Sequence, residues 1–224
     1  MNFSCEFCKK DFAKETTLAI HMCEPRRRRQ EQHERGVQLG LQAYLRFYET
    51  MQGSAKLKTF DDFAESAYYK AFVKFGRYCV NINAINPARF MDWLLKHNKK
   101  IDRWATDQIY GEYLVEYLRL EHANDALARS IEYSMDWADQ HHAAAHDCLR
   151  YGNSNAVCFA LTSGRLSAWV IYNSDSGQQF LAQLSEEQIA MIWPYIDADF
   201  WQRKFRDYPA DVEYVRQMLK TAGW

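Results

Sequence analysis

The residues best suited to chemistry are three cysteines and a histidine near the start of the sequence. Cys5 and Cys8 form a Cys-x2-Cys pair, and His21 and Cys23 follow it. A turn between the first two cysteines would place two thiolates on one side of a metal ion, and a short helix would present His21 from the other side. Three apolar residues remain for a minimal core: Phe3, Phe12 and Leu18. We predict a ββα unit that one structural Zn²⁺ must complete, because so small a unit cannot fold by apolar burial alone.

The fourth ligand is the open point of this pattern. A second histidine is usual soon after the first, but residues 25–27 are a proline and two arginines. Cys23 is the nearest candidate, and it can reach the metal only if the helix ends at His21, because residues two apart on a helix point to nearly opposite faces. The proline is expected to help by disfavouring helical geometry at Glu24. His33 is the alternative ligand.

Four consecutive arginines follow the ligand pattern: Arg26, Arg27, Arg28 and Arg29. An apolar core has no use for so compact a positive patch, so we interpret the segment as a polar helix or linker that contacts phosphates. Lys99 and Lys100 lie in a predicted basic connection and are expected to act in the same way. A nuclear-localisation signal would be equally short and basic, and this is an alternative at the level of composition.

Apolar residues recur at helical spacing along the rest of the chain. The clearest stripes run from Val37 to Met51, from Ala67 to Val80 and from Asp107 to Leu120. We predict that Gly53 stops the first helix and that Ser66 caps the second. The aromatic residues of the second stripe, which include Tyr68, Phe72 and Phe75, are spaced for burial. Those of the third stripe, Tyr110, Tyr113 and Tyr117, are expected in the core, although they could also stack on nucleobases. The predicted fold class is all-α: a small N-terminal ββα zinc finger followed by a two-part helical body.

Charge is divided unevenly along the chain, although the net charge at pH 7 is only −1. Residues 1–120 carry 20 basic and 15 acidic side chains, and residues 121–224 carry 8 basic and 14 acidic ones. Such a distribution is typical of a protein that meets a polyanion at one end and a protein at the other, or of charges that serve only solubility. The sequence predicts four parts: a zinc finger in 1–24, a basic linker in 25–36, a basic helical domain in 37–122 and an acidic helical domain in 123–224.

The remaining motifs give no reason to expect an enzyme. Three acidic groups could bind Mg²⁺, but each is predicted at a helix start, where carboxylates complement the helix dipole: Asp61 with Asp62, Glu186 with Glu187, and Asp197 with Asp199. The histidines at positions 141, 142 and 146, near Cys148, are interpreted as a surface cluster. The sequence contains no glycine-rich phosphate loop and no recognisable nucleophile motif.

Cellular location follows from what the sequence lacks and from its cysteines. No run approaches the eighteen or so apolar residues of a membrane span, and the N-terminus has no apolar signal segment. The three cysteines outside the metal pattern are scattered through helical contexts, as is usual in a reducing compartment: Cys79, Cys148 and Cys158. We therefore expect a cytoplasmic protein.

The N-terminal motif resembles the two-Cys, two-His zinc-finger family. Alignment of the ligands places Lys14, Thr17 and Ile20 where that family carries its base-reading side chains, and only Lys14 is suited to reading a base. One finger covers about three base pairs, so the resemblance implies little sequence specificity from this finger alone.

The whole chain also resembles an accessory protein of T-even-like phages that infect cyanobacteria, which would place it in the host cytoplasm. Residues 68–113 and 151–167 are similar in pattern to the phage helicase loader, through two sets of residues: Tyr68, Tyr69, Phe72, Asn98, Trp104, Glu112 and Tyr113, then Tyr151, Asn153, Ser154 and the stretch from Ser163 to Ser167. This resemblance implies two helical domains, the first like an HMG box, and binding of forked DNA and of the replicative helicase. The finger and the arginine run depart from that family.

These observations lead to one expected function and one alternative. The expectation is a non-enzymatic, zinc-containing DNA-binding accessory protein of replication or transcription. Its basic part would bind forked or single-stranded DNA, and its acidic C-terminal half would bind a replication or transcription protein. The alternative is a protein adaptor that does not bind DNA, in which the finger and the arginine run grip an acidic partner.

Overall fold

A computed structural model describes residues 3–52 and 58–224 of the chain. It confirms the predicted fold class, since two short N-terminal strands are followed by helices throughout the described residues. The chain divides into two compact units, Met1–Tyr110 and Gly111–Trp224. The four domain bounds drawn from the sequence stay predictions, and the stop predicted at Gly53 lies outside the described residues.

The first unit opens with an antiparallel pair of two-residue strands in which Phe3 lies opposite Phe12. The two strands are β1 (Phe3–Ser4) and β2 (Asp11–Phe12), and the helices up to the division between the units are α1 (Glu15–Ile20), α2 (Glu24–Gln30), α3 (Arg35–Gln52), α4 (Phe60–Glu65), α5 (Tyr69–Asn81), α6 (Pro87–Lys96) and α7 (Asp107–Leu120). Short 3-10 turns occupy Glu31–His33 and Ile101–Arg103. Helix α7 contributes residues to both units.

Helices α3 and α5 pack in backbone contact through glycines. A Cβ atom added to Gly76 of α5 would lie 2.0 Å from the Gly36 carbonyl oxygen and 2.6 Å from the Gly40 backbone nitrogen of α3. No side chain larger than hydrogen fits there without moving a helix. This contact fixes which face of α5 is buried and therefore which face is presented outward.

An aromatic core fills the space around this helix pair. Phe72 and Phe75 are fully buried, and their rings lie 5.8 and 5.4 Å from the ring of Trp104. This confirms the burial predicted for both residues. In α7, Tyr110 and Tyr113 are buried as well, so these two tyrosines form core and not a base-stacking surface. The sequence-based prediction was wrong on Ser66, which ends α4 and does not cap α5, and on Tyr68, which is exposed, because α5 begins only at Tyr69.

The second unit has its own core, built around Trp169 and Trp201, which are both 1% exposed. Its helices are α8 (Ala123–His141), α9 (Cys148–Tyr151), α10 (Ser154–Thr162), α11 (Ala168–Asn173), α12 (Asp175–Ala182), α13 (Glu186–Ile196), α14 (Ala198–Asp207) and α15 (Pro209–Thr221). A bidentate ion pair between Glu121 and Arg129, with both N–O distances 2.8 Å, is enclosed in it. Across the described residues, no helix combines the length and apolar character needed to cross a membrane.

Candidate metal centre

Four side chains from the first 23 residues converge on one point. The ligand atoms of Cys5, Cys8, His21 and Cys23 all lie within 4.8 Å of one another. The two sulfur atoms of Cys5 and Cys23 are 3.8 Å apart, and the sulfur of Cys8 is 3.3 Å from Nε2 of His21. None of the three cysteines forms a disulfide bond. The cluster could hold one metal ion, and its four members are those predicted from the sequence.

A tight turn positions the first two thiols. The backbone N–H of Lys9 donates to the Cys5 carbonyl, and the N–H of Cys5 donates to the Lys10 carbonyl, both at 2.9 Å. Lys9 has φ of 59°, a left-handed conformation that is uncommon for a side chain with a Cβ atom. The turn reverses the chain within four residues, so that Cys5 and Cys8 face the same side.

A helix break positions the other two ligands. Helix α1 ends at Ile20, and His21 is already extended, with φ of −68° and ψ of 122°. Cys23 is extended as well and serves as the N-cap residue of α2. The break lets both side chains face the same point, which two residues at this spacing on one continuous helix could not do.

The expectation about the proline was wrong, because the chain does become helical at Glu24. Pro25 lies in the first turn of α2, where a missing backbone N–H costs nothing. The break that frees Cys23 therefore lies before the proline. The alternative ligand His33 belongs to the 3-10 turn Glu31–His33, where its ring is 3.0 Å from the Gln32 amide, and it is not part of the cluster.

The thiols influence one another electrostatically. A hydrogen bond from the Cys8 backbone N–H lowers the pKa of the Cys5 thiol. The Lys10 backbone N–H acts to lower the pKa of Cys8, but partial burial and the neighbouring thiols of Cys5 and Cys23 outweigh it, so the pKa of Cys8 lies above its ordinary value. Crowded thiolates repel one another, and a bound cation would relieve that repulsion.

The apolar core of this small unit is thin. Phe3, Phe12 and Leu18 are only partly buried, and among the ligands Cys5 alone is fully buried, at 3% exposure. The Phe12 ring lies 4.6 Å from the His21 ring. So little apolar burial cannot hold two strands and a six-residue helix together, and the ligand cluster is the element that could.

The four arginines all contact other parts of the same chain. Arg26 donates from Nη1 to the His21 carbonyl at 2.8 Å, and Arg27 pairs with Glu24 at the start of α2 and with Glu31 just after its end. Arg28 donates to the Ala64 carbonyl of α4 at 2.7 Å. These contacts within the chain were not foreseen from the sequence, where the arginines were expected to contact phosphates or, in the alternative, an acidic partner protein.

Arg28 and Arg29 make the longest-range contacts of the run. The Arg28 guanidinium carbon lies 4.4 Å from the centre of the Tyr69 ring. Arg29 pairs with Asp61 at 2.9 Å and lies 5.6 Å from the centre of the Phe7 ring. The run thus connects the metal-binding segment to α4 and α5, and phosphate contact by these arginines stays a prediction.

The three lysines predicted to contact nucleic acid lie on other elements. Lys14 is exposed at the N-cap position of α1, and Lys100 is exposed before the turn Ile101–Arg103. Lys99 is half-buried, with its ammonium 5.2 Å from the centre of the Trp93 ring. A different cationic group, which the sequence reasoning missed, lines a groove between α2 and α5: Lys70, Lys74 and Arg77. Their spacing opposite the buried stripe of α5 was the signal that could have found them.

Among the described residues, the acidic groups and the buried cysteine considered as other candidate sites have structural roles. Asp62 forms a capping box with Thr59, and Asp197 accepts from the Phe200 backbone N–H at 3.2 Å, so these carboxylates begin helices as predicted. Cys148 is buried and donates to the Ser134 hydroxyl at 3.3 Å. Within the described ranges, the ligand cluster near the N-terminus is the one group of metal-ligating side chains that comes together.

Comparison with known proteins found no matching family model, no matching curated protein and no matching solved structure. The resemblance to a phage accessory protein and to the helicase loader therefore stays a prediction that rests on the sequence pattern alone.

Proposed function

We propose that the cluster binds one structural Zn²⁺. Zinc–thiolate bonds of about 2.3 Å and zinc–imidazole bonds of about 2.0 Å arranged in a tetrahedron give an S–S edge of about 3.8 Å and an S–N edge of about 3.5 Å. The Cys5–Cys23 and Cys8–His21 distances of 3.8 and 3.3 Å support this size. Three thiolates and one imidazole fill all four positions with protein ligands, which is typical of structural zinc and not of catalytic zinc.

We propose that the zinc-stabilised unit belongs to a non-enzymatic DNA-binding accessory protein. The observation that carries this proposal is the charge of the first unit. Residues 1–110 carry 19 basic and 13 acidic side chains, a net charge of +6, while residues 111–224 carry 9 basic and 16 acidic ones, a net charge of −7. A basic unit attracts the phosphate backbone without regard to sequence, and the acidic unit is suited to a protein partner in replication or transcription.

Fluorescence anisotropy with labelled forked, single-stranded and duplex DNA at several salt concentrations tests this function. The logarithm of affinity should fall linearly with the logarithm of salt concentration. Replacing Lys14 and Lys100 together with alanine should reduce the slope by roughly 0.7–0.9 for each phosphate that the variant no longer neutralises. The matched control replaces two exposed cations of the second unit, Arg206 and Lys220, and should leave the slope unchanged.

The outcomes separate the proposal from its rivals. If the wild-type protein shows no measurable binding at low salt, DNA binding is wrong. If binding occurs but the control variant lowers the slope as much as the Lys14 and Lys100 variant does, the basic first unit is not the DNA-binding part.

The second candidate is a protein adaptor, and two observations favour it. The arginine run is already engaged within the chain, so it offers less free charge to phosphates than its sequence suggests. Ile20 and Met22, which flank His21, are 83% and 53% exposed and give the metal-binding segment an apolar edge. Apolar side chains of this kind are typical of protein contacts and are of little use against a phosphate backbone.

A further inference from the structure

A groove of about 600 Å³ lies between α2 and α5, separate from the metal cluster. Its volume is within the range of sites for nucleotide-sized ligands. Five cationic and two acidic side chains line it: Arg27, Arg28, Lys70, Lys74 and Arg77, with Glu24 and Glu31. The lining therefore carries an excess of three positive charges.

Helix α5 contributes the most concentrated part of this charge. Lys70, Lys74 and Arg77 are four and three residues apart, so they form a column along one face of the helix. The opposite face is held in place by Gly76 and Phe72, which pack against α3 and the aromatic core. Like charges at this spacing destabilise a helix, so the column needs a counter-charge.

The acidic residues of the groove satisfy only part of that need. Arg77 pairs with Glu31 at 3.0 Å and with Glu34 at 2.8 Å, and Lys70 is 3.9 Å from Glu24. Lys74 lies between these two cations and, among the residues that the structure describes, belongs to no ion pair. It is exposed to the groove and to solvent. Lys74 is the position where an added anion would be attracted by three cations at once.

A second observation at the same wall also points to a missing partner. Tyr69 lines the groove and is 4% exposed, yet its buried hydroxyl has no hydrogen-bond partner in the described part of the chain. A buried polar group without a partner destabilises the folded protein, and native structures rarely leave one unsatisfied. An oxyanion with several acceptor atoms suits a wall made of ammonium, guanidinium and hydroxyl donors.

We propose that this groove binds a phosphate group of a nucleic-acid backbone, with Lys74 as its central contact and Lys70 and Arg77 at its sides. The phosphate chemistry rests on the groove itself, and the assignment to a nucleic acid rests on the proposed function. Free polyphosphate offers the same chemistry, so pyrophosphate is the competing source in the test. In this arrangement Glu24 and Glu31 hold the flanking cations in place, and Arg28 forms the wall through its contact with Tyr69.

The test measures binding of a labelled single-stranded oligonucleotide by full-length Lys74→Glu, Lys74→Arg and Lys220→Glu proteins. Lys74→Glu should weaken binding at low salt by at least about two- to fivefold, the effect of one exposed charge pair, and should flatten the salt slope. Lys74→Arg keeps the positive charge and should therefore keep the affinity and the salt slope of the wild-type protein. Lys220→Glu makes the same change of charge on an exposed lysine of the second unit, and it should change the affinity and the salt slope far less than Lys74→Glu does. Thermal melting checks that the exposed substitution leaves the fold intact.

Added pyrophosphate should displace the oligonucleotide from the wild-type protein. It should not displace the oligonucleotide that still binds to Lys74→Glu. If the protein binds pyrophosphate but not the oligonucleotide, the groove is a phosphate site but its assignment to a nucleic acid is wrong. If Lys74→Glu binds the oligonucleotide as tightly as the wild-type protein does, the groove is not the nucleic-acid site, although the protein still binds DNA. If neither ligand responds to the residue at position 74, the groove is not a phosphate site.

Discussion

Replacement of Arg28 by alanine should loosen the attachment of α2 to α4 and α5. The Arg28 side chain is 17% exposed and donates to the Ala64 carbonyl at 2.7 Å. It also pairs with Glu24 at 3.2 Å and lies 4.4 Å from the centre of the Tyr69 ring. An alanine side chain can make none of these interactions, and the Ala64 carbonyl is left without its charged donor.

The size of the stability loss in Arg28→Ala can be estimated from the interactions that the arginine makes. A hydrogen bond from a charged group contributes about 1.5–3 kcal/mol, and a partly desolvated cation–π contact about 0.5–2 kcal/mol. We expect Arg28→Ala to lower the free energy of local unfolding by about 2–4 kcal/mol, because these contributions overlap. Arg27 is 54% exposed and pairs only with Glu24 and Glu31, its neighbours one turn before and one turn after, so Arg27→Ala should cost less than about 1 kcal/mol.

Hydrogen exchange detected by mass spectrometry measures this difference directly. Peptides that cover α2 and α4 should exchange roughly thirtyfold faster or more in Arg28→Ala, since about 1.4 kcal/mol corresponds to a factor of ten. Arg27→Ala is the matched control, because it removes the same charge from the same helix. Equal exchange in the two variants would refute the view that Arg28 attaches α2 to the rest of the unit.

Two further predictions concern cysteines. Metal analysis of protein purified without chelator should give about one equivalent of zinc, and Cys5→Ser with Cys8→Ser should lose it, whereas retention of the metal in Cys23→Ser would move the fourth ligand elsewhere. Burial raises the pKa of the Cys79 thiol to about 12, so its contribution to stability is complete below the unfolded pKa of about 8.5 and is lost as the pH rises towards 12. In the wild-type protein the unfolding free energy should therefore fall as the pH rises from 9 to 11, and in Cys79→Ala this fall should be smaller by up to about 1.4 kcal/mol per pH unit. Denaturant titrations over this pH range measure the difference. The same pH dependence in both proteins would contradict the argument that burial raises the pKa of Cys79.

The clustering of Cys5, Cys8, His21 and Cys23 could be predicted from the sequence because a metal-ligand pattern imposes spacing over a short stretch of chain. A turn between Cys5 and Cys8 needs only local geometry, and the requirement for a helix end at His21 follows from the positions of two residues. The role of the proline was misjudged because proline is excluded from helix interiors but is tolerated in a first turn. Sequence alone does not say on which side of a proline the chain breaks.

The partners of the arginine run could not be predicted, because they depend on tertiary contacts. Ala64 offers a backbone carbonyl, which every residue has, so nothing in the sequence marks it as a partner of Arg28. Asp61 was explained as a helix-start carboxylate, yet it also pairs with Arg29 at 2.9 Å. A charged run near a metal motif has two uses, attachment within the chain and contact with a ligand, and only the folded structure separates them.

Helix α2 links the metal centre to the phosphate groove that we propose. Its N-cap residue is Cys23 of the candidate metal cluster, and one turn later Arg27 and Arg28 line the groove. A helix of seven residues is too short to be stable by itself, so its position depends on what holds its two sides. The metal would fix its start, and Arg28 fixes its flank against Tyr69 and Ala64. Loss of either support should therefore displace one wall of the groove, even though no metal ligand lines it.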